Sequence, residues 1–181
     1  AVAILDRFTK LYPGDERSDY AYYLIALSYY EQITDVGRDQ AMTRQAVTAL
    51  QDVVRRYPDS DYARDAKLKL DLTTDHLAGK EMEVGRYYLT RQEYNAAINR
   101  FQKVIKDYQT TSHVPEALHR LVEIYLKLGI EEEAKRYAAV LGHNFPDSEW
   151  YLDSYALLKP DAPLPDREDG DEVGSWVSRI F

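Results

Sequence analysis

The 181-residue chain contains no cysteine. Disulfides, thiolate metal sites and a cysteine nucleophile are therefore excluded within it, while the cellular compartment stays open. Glycine and proline are scarce, at 8 and 7, and several lie between periodic segments. That is the pattern of helices joined by short turns. No apolar run reaches the length of a bilayer span, and the first residues have no signal-peptide layout. Positive charge is also short: 23 Lys and Arg face 31 Asp and Glu, for a net charge of −8. Such a field repels phosphate backbones, so nucleic acid is not an expected partner. There is no Gly-x-Ser-x-Gly elbow, no phosphate-binding glycine loop and no Ca²⁺ loop in EF-hand order. His76, His113 and His143 are scattered singly. Glu116 and His119 have the Glu-x-x-His spacing of di-metal bundles, but a second copy of the motif is missing. His119 is accordingly expected to be an ordinary surface or groove residue, and no catalytic, cofactor or metal site is expected.

What is present is helical periodicity, carried by a chain that is 45% hydrophobic and 30% charged, with 16 tyrosines. Gly85 is followed by Tyr88, Ala97, Phe101 and Val104, the spacing of a tetratricopeptide (TPR) helix pair. Gly85 lets the second helix approach the first, Tyr88 fills the space between them, and Ala97 sits where the helices cross. Tyr125, Ala134, Leu141 and Pro146 repeat the pattern, with Val122 in place of the small residue and Ala138 in place of the large one. Counting back from Pro58 puts Val53, Leu50 and Ala46 on a second helix; counting back from Pro13 does the same for Phe8, Leu5 and Ala1. The chain is thus expected to open inside a repeat and to be part of a longer protein. The fold expected is all-α, a TPR-type α-solenoid of antiparallel helix pairs over 1–158, with one elongated helix and a solitary C-terminal capping helix.

Several local features sharpen this. A helix over about Ser18–Ile33 precedes an inserted loop, Thr34 to Gln40, about eight residues longer than the TPR norm. Its Asp35, Arg38 and Asp39 are candidate functional residues, because extended loops often carry function. Asp59-Ser60 reads as the N-cap of a proline-free helix of roughly eight turns through Tyr88. Asp65 and Lys69 form an i,i+4 pair on its exposed side. Thr90-Arg91-Gln92-Glu93 reads as a capping box for the next helix. Pro115 opens a later helix and Gly129 closes it. Gln109 stands where the repeat expects proline, which predicts a less sharply set turn. From 159 to 181 the chain is an acidic, Pro/Asp-rich segment expected to be a flexible tail. It ends in an apolar motif, Trp176, Val177, Ile180 and Phe181, that either docks on a partner, folds back or has no role.

The block Tyr57-Pro-Asp-Ser-Asp-Tyr-Ala63, its partial echo Phe145-Pro-Asp-Ser148, and Tyr12-Pro13 before Asp19-Tyr20-Ala21 resemble TPR lipoproteins of the Gram-negative envelope. Within that group, Tyr30 to Gln40 and the long helix leading into Tyr87-Tyr88 resemble the BamD (ComL) family, TPR lipoproteins of the outer-membrane β-barrel assembly (BAM) machine. The resemblance covers about Ala1 to Leu158. It implies a non-enzymatic scaffold on the periplasmic face of the outer membrane, held there by a lipid anchor that this chain lacks. It also implies binding to the POTRA domains of the BamA barrel subunit, to other BAM lipoproteins and to unfolded outer-membrane proteins. The family's partner-binding positions correspond to Tyr87, Tyr88, Arg91, Asn99 and Arg100. Arg100 lies at the edge of the buried stripe Ala97, Phe101, Val104 and Tyr108, where it either meets a POTRA carboxylate or stays solvated. Gly37 departs from the family, which has an acidic residue there, so the loop is less fixed as an acidic contact.

Three other readings compete. A periplasmic partner of the Tol-Pal system shares the Tyr-Pro-x-Ser block but would have regular repeats. A TPR adaptor clamping a peptide carboxylate would need clustered Lys, Arg and Asn on one face. An enzyme using Glu116 and His119 would require metal.

Overall fold

The computed structural model describes residues 2–33 and 40–164. Among these residues there are eight helices and no strand. They are α1 (Val2–Leu11), α2 (Ser18–Tyr30), α3 (Gln40–Arg56), α4 (Asp61–Thr90), α5 (Tyr94–Asp107), α6 (Val114–Lys127), α7 (Glu131–Asn144) and α8 (Glu149–Leu158). None is long and apolar enough to cross a membrane. Ala1, the loop residues Asp35, Arg38 and Asp39, and the tail residues Trp176, Ile180 and Phe181 lie outside the described residues.

The elongated helix is α4, 30 residues without a break. Its only punctuating residues are Gly79 and Gly85, and its N-terminus is held by Ser60, whose Oγ accepts the Tyr62 N–H at 3.2 Å and donates to Asp19 at 2.7 Å. The chain divides into two compact units within this helix, between Leu77 and Ala78.

In the first unit α2 packs on both α1 and α3. Ala46, Leu50 and Val53, three to four residues apart on α3, are fully buried, and Ala26 of α2 and Ala63 and Ala66 of α4 join them. Tyr22, Tyr23, Tyr30 and Leu70 pack around that cluster. Small residues at the crossings let the backbones approach; the tyrosines fill what is left. Asp65 and Lys69 pair at 2.7 Å as their spacing predicts, on a side that is only partly exposed. Asp65 also accepts the hydroxyl of Tyr23 on α2, so the pair faces the neighbouring helix.

In the second unit α6 packs on α5, α7 and α8. Ala97, Phe101 and Val104 of α5 are fully buried with Leu121, Val122 and Ile124 of α6 and Ala134, Ala138 and Leu141 of α7. Val122 and Ala138, the two departures from the repeat, are a size exchange inside one core. Gly85 has the role its spacing predicts: a methyl group built on it would lie 2.6 Å from Cε1 of Phe101. The helix α8 covers α6 and α7 with Tyr151 fully buried, and that ring lies where a Cβ on Gly142 would meet it at 2.6 Å.

Two turn predictions are corrected. The segment Thr90 to Glu93 makes no capping box. Thr90 ends α4, its hydroxyl donating to the Arg86 and Tyr87 carbonyls, and Glu93 makes no side-chain cap bond. Gln92 instead takes a left-handed conformation, φ 61°, with its N–H on Leu89 O and the Glu93 N–H on Tyr88 O. That pair of bonds is a Schellman stop, as at Gly129, where φ is 72° and the N–H groups of Gly129 and Ile130 reach Leu126 O and Tyr125 O. The turn at Gln109 is as sharply set as the proline turns. Tyr108, like Tyr12, Tyr57 and Phe145, donates its N–H to the carbonyl four residues back and accepts an N–H from three residues on. Thr111 adds a side-chain bond to Tyr108 O at 2.8 Å, so this turn is closed without proline.

Candidate partner-binding groove

The last turns of α4 and the outer edge of α5 bring most of the expected partner-binding residues together. Helical spacing explains why. Gly85 and Phe101 fix where the two helices touch; Glu81 lies one turn before Gly85, Tyr88 one turn after it, and Arg100 adjoins Phe101. Tyr88, Ala96, Asn99, Arg100 and Lys103 line a shallow pocket of about 280 Å³. Tyr88 is half-buried against the core, while Asn99 is exposed.

Arg100 is neither free in solvent nor buried. Its Nη1 donates to Glu81 Oε2 at 3.0 Å; the arginine side chain is 41% exposed and the glutamate 14%. Lys103 donates to Asp107 at 2.6 Å, and this hydrogen bond is the main reason its pKa is raised, with the charge of Glu81 adding a smaller push. The pocket therefore presents a guanidinium, an ammonium and a carboxamide beside an aromatic ring. Such a set donates hydrogen bonds to a carboxylate.

Tyr87 and Arg91 form a second, adjoining group and do not line the pocket. Tyr87 is 57% exposed, its ring edge-on to Tyr88 with centroids 5.8 Å apart. Arg91 lies over that ring at 5.5 Å, donates to the Tyr87 hydroxyl at 3.1 Å and pairs with Glu93 at 3.1 Å. The left-handed Gln92 positions Arg91 by ending α4 at this point. Glu81, Lys103 and Ala96 belong to no motif of the sequence and join the site only through the fold. The signal for Glu81 was its place four residues before Gly85, on the same helix face.

Glu116 and His119 belong to a different arrangement. Glu116 accepts both carboxylate bonds from Arg86 Nη1 of α4, each 2.8 Å. His119 is not a surface or groove residue: it is buried, its Nδ1 2.8 Å from the Ser154 hydroxyl of α8 and its ring 5.2 Å from Trp150. Arg120 lies over the Trp150 ring, 5.2 Å from its centroid. Burial lowers the His119 pKa, against a smaller opposing pull from the Glu123 carboxylate. The Glu-x-x-His spacing thus ties α4 and α8 to α6. No group of three or more His, Asp or Glu is placed to hold a metal among the described residues.

The family model YfiO, described as an outer membrane lipoprotein, matches residues 1–141. The chain belongs to this family. The likeness first read from Tyr30 to Gln40 and Tyr57 to Ala63 is therefore shown, together with the all-α repeat fold. An outer membrane protein assembly factor BamD of Caulobacter vibrioides is 57% identical over 165 residues, covering 91% of this chain and 54% of that protein. Its namesake in Rickettsia prowazekii is 52% identical over 159 residues, covering 88% of this chain and 63% of its own. A BamD of Neisseria meningitidis is 39% identical over 158 residues, covering 82% of this chain and 59% of its own. This YfiO/BamD family chain thus spans between about half and two thirds of the relatives it matches. The groove on α4 and α5 lies wholly inside the matched residues.

Proposed function

We propose that this chain is the partner-binding portion of a non-enzymatic scaffold for outer-membrane protein assembly, and that it binds the POTRA domains of the BamA barrel subunit through the groove at Arg100. The observation that carries the reading is Arg100, its side chain two-fifths exposed and its guanidinium held by Glu81 beside Tyr88, Asn99 and Lys103. An arginine so placed recognises a carboxylate with directional hydrogen bonds as well as charge. The names of the relatives, outer membrane protein assembly factors, support the setting. In that setting the full-length protein is held at the periplasmic face of the outer membrane by a lipid anchor, beside other BAM lipoproteins, and supports folding and insertion of β-barrel proteins. The exposed Tyr87 and the Arg91 stacked on it would form the rim of the interface, and Arg100 its centre.

The test is calorimetry of this chain against the isolated membrane-proximal POTRA domain, with Arg100→Glu in parallel and helical content checked by circular dichroism. Binding by the wild type, with a loss on the order of tenfold or more in the variant, is expected. Equal binding by both would remove Arg100 from the interface; no binding by the folded wild type would remove the POTRA assignment.

A further inference from the structure

We propose that Glu81 is a positioning residue of the partner groove: it anchors one edge of the Arg100 guanidinium so that the rest of the fork faces an incoming carboxylate. This rests on the partner-binding reading above. Arg100 and Glu81 are 19 residues apart and sit on different helices, yet both ends of the pair are set by one rigid contact. Glu81 precedes Gly85 by one helical turn, Arg100 immediately precedes Phe101, and Gly85 and Phe101 are packed to the limit that a missing methyl allows. The Glu81 side chain is 14% exposed and flanked on α4 by Ala78 and Met82, both fully buried. It can swing little. The Arg100 side chain, 41% exposed, would otherwise sample many rotamers. Only Nη1 is engaged by Glu81, which leaves the rest of the fork available to the pocket that Arg100 lines with Asn99 and Lys103. A side chain ordered before binding does not have to be ordered during it, and sites supported by rigid elements hold their geometry best.

Charge alone makes the opposite prediction. Glu81 is a negative group beside a site for a negative group, so neutralising it should tighten binding if Coulomb terms dominate. The sign of the effect therefore separates positioning from electrostatics. The experiment is calorimetry of the 181-residue chain against the isolated membrane-proximal POTRA domain. The variants are Glu81→Gln, Glu81→Asp, Arg100→Ala and the double variant Glu81→Gln/Arg100→Ala, each measured at about 0.15 M and about 0.5 M salt, where the second condition screens exposed charge. The aspartate keeps the charge and shortens the reach. Positioning predicts that both Glu81 variants bind about three- to tenfold more weakly at both salt concentrations, and that Glu81→Gln has no further effect once Arg100 is alanine. Unchanged or tighter binding by the two Glu81 variants, with wild-type binding intact, would overturn the proposal alone. Weakening that persists in the Arg100→Ala background would overturn it too, since Glu81 would then act without Arg100. Absence of binding by the folded wild type would instead overturn the partner reading and this proposal with it.

Discussion

Gly85 of α4 and Phe101 of α5 are packed so closely that a Cβ on the glycine would lie 2.6 Å from one ring carbon and 2.9 Å from the next. Alanine would gain about 1 kcal/mol of helix propensity over glycine. The clash is larger, because the fully buried Phe101 ring would have to shift within a packed core. Gly85→Ala is therefore expected to destabilise the chain by about 1–3 kcal/mol in urea unfolding. Gly14→Ala, at a turn where a Cβ meets nothing within 4 Å, should stay neutral or gain slightly. Equal stability of Gly85→Ala and wild type would show that the two helices separate freely.

The turn after α5 already has the backbone of a proline turn. Tyr108, before Gln109, has φ −131° and ψ 45°; Phe145, before Pro146, has φ −139° and ψ 56°. Gln109→Pro is thus expected to fit and to stabilise by about 0.4–1 kcal/mol through the unfolded chain. A lower unfolding midpoint in the variant would refute that equivalence.

Gln92 carries a side chain in a conformation that glycine adopts without cost. Since Gly129 closes α6 with the same pair of hydrogen bonds, Gln92→Gly should raise stability by roughly 1 kcal/mol, about 2–4 °C in thermal midpoint for a chain of this size. The Gln92 side chain is exposed, so little packing is lost. A drop in midpoint would mean that the side chain, not the backbone, holds this turn.

Burial depresses the pKa of His119 below its ordinary 6.5, so the folded chain prefers the neutral imidazole. As pH falls through 6.5 the unfolded chain binds the proton first, and stability declines until the folded pKa is reached; above about pH 7.5 the contribution is complete. Unfolding free energy is expected to fall between pH 7.5 and 5.5, by at most about 1.4 kcal/mol per pH unit from this group. His119→Asn, which can still hydrogen-bond Ser154, should flatten that slope. A variant whose slope matches the wild type would assign it to other groups.

The helical pattern was legible because helix crossings leave a local trace. Small residues such as Gly85, Ala97 and Ala134 must stand where backbones approach, and large ones such as Phe101 and Leu141 must follow at turns of the same face. The uninterrupted run from Asp61 to Thr90 announced the long helix in the same way. Part of the groove could be read too, since Tyr88, Asn99 and Arg100 resemble positions of the BamD family. What misled was local chemistry with two uses. Thr90 and Glu93 suit a cap but serve as a helix end and an ion-pair partner, and His119, expected at the surface or in a groove, is buried against Ser154.

The sequence by itself determined the helices, their buried faces and the family, because periodicity and spacing along the chain carry that information. Only the tertiary structure decided which polar groups meet. Arg100 with Glu81, Arg86 with Glu116, His119 with Ser154 and Tyr23 with Asp65 lie 19, 30, 35 and 42 residues apart. Each pair spans two helices, and its members come within hydrogen-bonding distance only after the apolar faces have packed and set the helices' register. Those meetings turn exposed or ambiguous residues into a positioned arginine, a buried histidine and a fixed groove.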